Sequence, residues 1–362
     1  MKSVFILGAG ASRHAGGPLM SDFLDFAEAL LRQKIDGVIE AKDDFDNVFN
    51  VLAELQAVHA KSFLDLDNIE ILFGAIEMAQ LIGKLGERNS EEITKLRESI
   101  ITLIFKTLEY SLKFPVRDQH IYPPEPYGNF LETLSSARSK TIPVAPHEFA
   151  FLTFNYDLTL DYSLHHQGYI FDYCLSDKPD EKEAHIQKVP YLKLHGSINW
   201  GICEECGQII PRRTSEAHFD LWPGSKHVIY NLGSRLHVKE HCNKPLKGPP
   251  ILVPPTWNKT GYHEQLGNVW KRAAAELSTA ENIFVIGYSL PETDSFFRYL
   301  YALGSESSVR IKRFWVFNPD NGGGVEQRFR NLIGRGLENR FKYFPDTFYD
   351  AIPMIGHALS EI

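Results

Sequence analysis

The chain has 362 residues, of which 43% are hydrophobic and 23% are charged, and its formal net charge at pH 7 is −8. This composition excludes a disordered, collagen-like or coiled-coil chain, and the length predicts two domains or one domain with large insertions. The acidic balance disfavours direct nucleic-acid binding, and no apolar stretch reaches the ~20 residues of a membrane span, so we expect a cytoplasmic protein without membrane contact.

The N-terminal segment predicts a buried strand, a glycine-rich turn and a helix. The apolar run 4–7 is shorter than the ~7–15 apolar residues of a signal peptide, and a helical run from 22 to 33 follows the glycines. Glycines in such a turn let the backbone approach a pyrophosphate, and the helix N-terminus offers N–H groups to it. The alternative is a tight turn without a ligand. The candidate phosphate-binding residues are Gly8, Ala9, Gly10 and Ser12.

A long block from 34 to 135 is predicted to be a helical insertion. Apolar residues recur in it at spacings of three and four, as at Phe45, Val48, Phe49 and Leu52. The block supplies apolar stripes without a cluster of titratable side chains. We therefore expect it to serve assembly or gating rather than chemistry, and we expect the protein to be a homo-oligomer.

Four later apolar runs each stop at polar or glycine residues, namely 149–154, 190–194, 282–286 and 313–317. Such runs are typical of parallel strands in a doubly wound sheet, whose ligands collect at the carboxyl ends of the strands. The predicted fold class is therefore α/β. It comprises a Rossmann-like parallel sheet with helices on both faces, a helical insertion and a small zinc-ribbon-like module.

Polar side chains follow two of these runs. Asn155 and Asp157 come directly after the first run, and His195 follows the second. An imidazole at a strand end can act as a general base near neutral pH. We expect these side chains to face the ligand crevice, where their loss would remove no core packing. The alternatives are an Asx turn that caps the next helix, and a hydrogen-bonded structural histidine.

The segment 201–250 contains half of a zinc ribbon, Cys203 and Cys206, with Cys242 further along the chain. Tetrahedral closure needs a fourth ligand, which either His237 or His241 must supply. Adjacent His241 and Cys242 rarely both reach one ion, so His237 is preferred. Such a site would be structural. The alternative is that the metal has been lost and the cysteines remain in an ordinary loop.

Taken together, these segments resemble the sirtuin superfamily. GAGASRHAGGP is similar to that family's phosphate loop, TFNYD to its T-Q-N-x-D segment, LHGS to its catalytic L-H-G-S, IGYSL to its I-G-T-S-L, and VFNPD to the strand that ends in a ribose-binding Asn. The motifs occur in the family's order from residue 4 to about 320. The resemblance implies NAD as the ligand, with Asn155 and His195 catalytic and Asp157 at the nicotinamide carboxamide. The residues implied beside the adenosine ribose are Gly287, Ser289 and Asn318.

Within the superfamily, the helical block looks like the insertion of sirtuin-like NAD-hydrolysing proteins of bacterial antiviral defence. Residues 19–23 differ from the Asp-Phe-Arg segment of the deacylases, and residues 251–257 differ from the segment that reads the acylated lysine. The resemblance implies hydrolysis of NAD to nicotinamide and ADP-ribose in abortive infection, beside a partner ATPase (HerA-like) or a nuclease. The alternatives are an NAD-dependent protein deacylase and a non-catalytic sensor of NAD or ADP-ribose.

The predicted domain division follows from these segments. Residues 1–33, 136–200 and 251–330 would form the NAD-binding core, and 34–135 the helical insertion. Residues 201–250 would form the zinc-ribbon-like module, and the tail 331–362 would pack on the core.

Overall fold

A computed structural model describes residues 1–56, 62–118, 120–139, 148–176, 187–211, 217–222, 225–229, 240–246, 250–253 and 260–361. The chain forms two compact units, which we call the core unit (Met1–Ala15, Phe114–Gly196 and Thr260–Ile362) and the helical unit (Gly16–Lys113 and Ser197–Lys259). These units divide the chain at other residues than the predicted domains do. Residues 16–33 fall in the helical unit, and residues 114–135 fall in the core unit.

The helices of the described residues are, in chain order, α1 (Phe23–Arg32), α2 (Asp36–Ile39), α3 (Lys42–Gln56), α4 (Ile69–Ile82), α5 (Ser90–Ser111), α6 (Glu125–Ser139), α7 (Thr159–His166), α8 (Thr260–Ser278), α9 (Ser295–Gly304), α10 (Gly324–Arg330) and α11 (Phe348–Ser360). The described residues also form two 3-10 helices, at Ala9–Ala15 and Arg335–Leu337. None of the helices in this part of the chain is long and apolar enough to cross a membrane.

The strands of the described residues are β1 (Lys2–Leu7), β2 (Val116–Arg117), β3 (His120–Ile121), β4 (Glu148–Thr153), β5 (Phe171–Asp172), β6 (Val189–Lys193), β7 (Gly196–Ser197), β8 (Trp200–Ile202), β9 (Ile209–Pro211), β10 (Ala217–Trp222), β11 (Ser225–Ile229), β12 (Glu240–His241), β13 (Lys244–Pro245), β14 (Ile251–Leu252), β15 (Asn282–Ile286), β16 (Arg313–Phe317) and β17 (Phe341–Phe344).

Seven of these strands form the central sheet of the core unit, in the order β17-β16-β15-β1-β4-β6-β5. Every neighbouring pair is parallel. The chain runs from β1 to one side of the sheet and later returns to the other side, so the strand order reverses at β1. Leu7 pairs with Thr153 and with Ile286, which brings the carboxyl ends of β1, β4 and β15 together. Ligands of doubly wound sheets bind at such a crossover.

The predicted α/β class, a Rossmann-like parallel sheet flanked by helices, is confirmed. The predicted runs 282–286 and 313–317 coincide with β15 and β16. Those at 149–154 and 190–194 are each one residue out of step with β4 and β6. The sequence analysis missed β17, which extends the sheet beyond β16.

Aromatic side chains form the core on one face of this sheet. The ring of Phe5 stacks on those of Phe151 and Phe284 in the neighbouring strands, at centroid distances of 5.5 and 5.4 Å. Phe130 of α6 meets Phe5 edge-on at 5.1 Å, and Phe348 of α11 packs on Phe130 at 5.3 Å. Aromatic pairs of this kind add about 0.5–1.5 kcal/mol beyond the burial of their area. Because Phe130 packs on the sheet, α6 is part of the core unit and not of a helical insertion.

In the helical unit, α1, α3 and α4 all pack against the long helix α5. The start of α5 is fixed by a capping box, in which the Asn89 side chain accepts hydrogen bonds from the backbone of Glu91 and Glu92 while the Glu92 carboxylate accepts one from the Asn89 backbone. The predicted apolar periodicity is reflected in part in α3, where Phe45 and Val48 are fully buried, whereas Phe49 and Leu52 are half-buried.

Candidate functional site

The glycine-rich turn continues β1 directly into the 3-10 helix Ala9–Ala15 and lies against the end of β15. The Gly8 N–H donates to the Ile286 carbonyl at 3.0 Å, and the Gly10 N–H donates to the Gly287 carbonyl at 2.9 Å. A Cβ added at Gly10 would lie 2.8 Å from the Gly287 carbonyl oxygen. The structure therefore gives these glycines a reason in addition to the predicted pyrophosphate contact, namely close packing of two backbone segments.

Gly287 is the other half of this contact. Its φ of +62° lies in the left-handed region that favours glycine. A Cβ at this position would lie 2.3 Å from the Ala11 backbone nitrogen. The predicted turn and the predicted glycine after β15 are thus in direct contact, although the sequence separates them by more than 270 residues.

A buried hydrogen-bond network, which we call the Ser12 network, joins this turn to the end of β4. The Ser12 hydroxyl donates to Asp157 Oδ2 at 2.8 Å and lies 3.0 Å from the Tyr127 hydroxyl. The Asn155 amide nitrogen donates to the Gly8 carbonyl at 3.0 Å and to the Ser12 hydroxyl at 3.1 Å. Residues predicted from two separate motifs are therefore brought together, and Asn155 reaches across to the glycine-rich turn.

Asp157 also fulfils the alternative prediction, an Asx turn that caps the next helix. Its Oδ1 accepts a hydrogen bond from the Thr159 N–H at 2.8 Å, which forms an Asx turn at the start of α7. Because its Oδ2 accepts from Ser12, this one carboxylate both shapes the turn and holds the serine. The Asp157 side chain is buried, so its two oxygens are kept in these positions by the fold.

A buried ion pair contacts the Asx turn at Asp157. Lys193, the last residue of β6, donates to the Asp157 backbone carbonyl and lies 3.1 Å from the Asp161 carboxylate. Both charged side chains are fully buried. The Tyr191 hydroxyl donates to Asp161 at 2.8 Å, and burial together with that carboxylate raises the pKa of Tyr191 well above its ordinary value. Removing one partner of such a pair typically costs about 3–5 kcal/mol, because the other charge is then left buried without compensation.

His195 lies just beyond β6 and is 2% exposed. Its ring packs edge-on against Phe154 at 5.1 Å, and its Nε2 lies 3.6 Å from Asp294 Oδ1. The expectation that its loss would remove no core packing is therefore wrong, because aromatic side chains cover it. His195 lies at the strand end, as predicted. The Asp294 carboxylate is close enough to form an ion pair with the protonated imidazole.

Ser289 and Asn318 lie beyond the ends of β15 and β16, where they form a second group of candidate residues. Hydrogen bonds that involve α10 hold this group in place. The Ser289 carbonyl accepts a hydrogen bond from Arg328 at 2.9 Å, and Asn318 Oδ1 accepts one from the Asp320 N–H at 3.1 Å. Asp320 in turn accepts from the N–H groups of Val325 and Gly322, and these bonds lower its pKa. The Asn318 side chain is thus used in a turn, beside the crossover of the sheet.

Sequence reasoning missed three side chains around these residues. Tyr288 and Asp294 lie in the run GYSLPETD after β15. Both are polar residues that follow a strand end, and this pattern could have identified them as site residues. Tyr127, on α6, is fully buried against Ser12, and burial raises its pKa well above the ordinary value. No local pattern marks Tyr127, because it meets Ser12 only through the fold.

In the helical unit, the four candidate ligands Cys203, Cys206, His241 and Cys242 place their ligand atoms within 4.8 Å of one another. His241 Nδ1 lies 3.6 Å from Cys206 Sγ and 3.4 Å from Cys242 Sγ. Ligand atoms of a tetrahedral zinc site are about 3.5–3.8 Å apart when Zn–S is about 2.3 Å and Zn–N about 2.0–2.1 Å. The donor set and its spacing fit zinc.

The predicted fourth ligand, His237, lies outside the described residues. Adjacent His241 and Cys242 were expected to be poorly placed to reach one ion together. This expectation is wrong, because their ligand atoms lie together. The hairpin between β12 and β13 turns at Cys242 and Asn243, whose φ angles of +52° and +59° are left-handed. This reversal brings two consecutive side chains to one point, which a spacing rule does not foresee.

The electrostatics of this group also favour a cation. A hydrogen bond from the His241 side chain lowers the pKa of Cys203 to about 6, so its thiolate forms readily. Desolvation and then the neighbouring thiols raise the pKa of Cys242 to about 11. Three thiolates in one place repel each other, and a divalent ion removes this conflict.

We expect purified protein to contain about one zinc per chain, and Cys203→Ser to reduce that content to about none while lowering the unfolding temperature. Atomic emission and a thermal melt measure the two effects. Cys174→Ser is the matched control, because Cys174 belongs to the core unit and lies outside the group. Purified wild-type protein that is metal-free and melts at the same temperature as Cys203→Ser would rule out the zinc site.

Comparison with known proteins finds no matching protein-family model and no matching curated protein. Among solved structures, the chain is similar to a Sir2 homologue in complex with NAD, with 13% identity, a TM-score of 0.43, and coverage of 99% of this chain and 90% of the other. It is also similar to Sir2 bound to a p53 peptide and NAD+, with 11% identity, a TM-score of 0.36, and coverage of 99% and 94%. The function of this chain has to be argued from its own residues.

Proposed function

We propose that this protein hydrolyses NAD to nicotinamide and ADP-ribose, as an effector of antiviral abortive infection. One observation carries the proposal. The Ser12 network gathers Asn155 and Asp157 at the carboxyl ends of β1 and β4, and His195 lies at the end of the next strand in the sheet. These are the side chains to which the sirtuin resemblance assigns NAD binding and cleavage, and they lie where doubly wound sheets bind dinucleotides.

In this proposal NAD binds along the carboxyl ends of the strands. The N–H groups of Gly8, Gly10 and Ala11 already donate within the fold, so the pyrophosphate would approach the turn at Ala9 and Ser12, the other two candidate residues there. The adenosine ribose would lie toward Gly287 and the group formed by Ser289 and Asn318. The nicotinamide would lie toward Asp157.

The hydrolysis itself needs few catalytic groups, because nicotinamide is a good leaving group. The bond between C1′ of the ribose and the pyridinium nitrogen breaks, and its electron pair stays on nicotinamide. A water oxygen forms the new bond to C1′, and the proton that the water loses passes to His195 and then to solvent. Asn155 orients the water or the ribose hydroxyls, which supplies the proximity that the reaction requires.

Incubation with NAD alone tests this function. We expect free nicotinamide and ADP-ribose to appear without any acyl-peptide, as measured by chromatography. Release only when an acyl-lysine peptide is added would favour the deacylase. Binding of NAD without release, as measured by calorimetry, would favour the sensor and overturn the hydrolase. Residues 254–257, whose difference from the deacylases argues against that activity, lie outside the described residues.

A hydrolase of NAD needs control in its host, and we propose that assembly provides it. Among its described residues, the helical unit exposes four large apolar side chains, Ile39, Phe63, Leu81 and Ile82, by 40%, 79%, 57% and 61%. Exposed apolar side chains are frequent at protein interfaces. A homo-oligomer by light scattering is expected, and a partner ATPase (HerA-like) or nuclease would act beside it. A strict monomer that is fully active at all concentrations would contradict this.

A further inference from the structure

We infer that Asp294 is a positioning residue, which fixes the imidazole of His195 so that its Nδ1 is the basic nitrogen. Asp294 Oδ1 lies 3.6 Å from His195 Nε2, and both side chains are almost completely buried. Asp294 is the N-cap residue of α9, yet its side chain makes no capping hydrogen bond there. The carboxylate is therefore directed to other partners than the helix it precedes.

The second oxygen of the carboxylate is held by Tyr288, whose hydroxyl donates to Asp294 Oδ2 at 2.6 Å. The Tyr288 ring stacks on Phe154 with centroids 4.0 Å apart and planes 8° apart. Phe154 in turn contacts the His195 ring, and Phe297 of α9 packs edge-on against both Phe154 and Tyr288. The same aromatic stack thus places the carboxylate and the imidazole relative to each other.

A carboxylate beside Nε2 decides which ring nitrogen carries the proton. In the neutral imidazole the proton is favoured on Nε2, facing the carboxylate, so that the lone pair that accepts a proton is the one on Nδ1. The negative charge also stabilises the imidazolium that forms when His195 takes up that proton. The 3.6 Å separation is an ion-pair distance and is longer than a hydrogen bond, and catalytic contacts of this kind commonly tighten when a ligand binds.

Asp294→Asn tests the inference because Tyr288 dictates how the new amide must lie. The Tyr288 hydroxyl needs an acceptor, so the amide oxygen keeps that hydrogen bond and the NH₂ group faces His195 Nε2. The imidazole proton then moves to Nδ1, and the base is lost. We expect kcat for nicotinamide release to fall by about 10²–10⁴-fold, while KM for NAD changes by less than about threefold.

A double variant separates positioning from simple packing. In Asp294→Asn with Tyr288→Phe, the amide is free to turn its oxygen toward His195, so at least about tenfold of the lost kcat should return. Glu292→Gln, two residues earlier in the chain, is the matched control and should retain the wild-type rate. A double variant no faster than Asp294→Asn, with both proteins melting well below wild type, would assign Asp294 a structural role only.

The activity arm of this inference rests on the proposed function, so a second readout is needed that does not depend on NAD. Nitrogen-15 NMR of the wild-type protein shows which ring nitrogen is protonated, and His195→Gln assigns the signal among the 14 histidines. A proton on Nε2 in the wild type and on Nδ1 in Asp294→Asn is expected. A proton on Nδ1 in the wild type overturns the inference, even where Asp294→Asn does not fold. Wild-type protein with the expected tautomer but no nicotinamide release would instead overturn the hydrolase alone.

Discussion

Nicotinamide release from NAD should fall by about 10²–10⁴-fold when His195 is replaced by glutamine, because the reaction loses its general base. Glutamine is chosen because His195 is buried against Phe154, and alanine would leave a cavity there. Glutamine has a similar size and hydrogen-bonding capacity without titrating near neutral pH. The initial rate at saturating NAD measures the effect, and a thermal melt of the same preparation measures stability.

His357→Gln provides the control for this variant, since His357 lies 74% exposed on α11 of the same unit. It should keep both the wild-type rate and the wild-type melting temperature. A structural role for His195 predicts the opposite pattern, with a lower melting temperature and an unchanged turnover per folded molecule. A stable His195→Gln protein that hydrolyses NAD at the wild-type rate would end the proposed mechanism.

The fold could be predicted from the sequence where strands are buried on both faces. β15 and β16 are nearly continuous apolar runs that end at Gly287 and Asn318, so their limits are visible in the sequence. β17 was missed because it is a four-residue strand at the edge of the sheet, with one exposed residue, Lys342, in its middle. Edge strands bury less surface, and their pattern is correspondingly weaker.

The candidate site could be predicted only as far as local motifs reach. Asn155 and Ser12 were recognisable from the strand ends that precede them, whereas Tyr127 lies 115 residues from Ser12 and meets it only in the folded chain. The glycines were assigned to a ligand, which stays a prediction, and the structure adds a second reason for them. Gly10 is in fact required by the nearby backbone of Gly287, which sequence spacing does not reveal.

Asn155→Ala should lower nicotinamide release by about 10²-fold or more, because the amide orients the reacting groups and a misplacement of about 1 Å is enough for such a loss. The variant also removes two hydrogen bonds, to the Gly8 carbonyl and to the Ser12 hydroxyl. At about 0.5–1.5 kcal/mol each, their loss should destabilise the core unit only modestly. Rate and melting temperature are therefore expected to change very unequally.

Asn155→Asp sharpens this test, because it keeps the shape of the side chain and replaces the donor by an acceptor. A carboxylate oxygen would then face the Gly8 carbonyl, and the turn would be pushed away from the end of β4. The loss of activity should equal or exceed that of Asn155→Ala. Ser12→Ala removes one acceptor of the amide together with the hydrogen bond to Asp157, but it leaves the bond from Asn155 to Gly8 intact, so the amide should be displaced less. If Asn155→Ala and Asn155→Asp both turned over NAD at the wild-type rate, the amide would be only a clamp between β4 and the glycine-rich turn, and the water or the ribose would have to be oriented by another group.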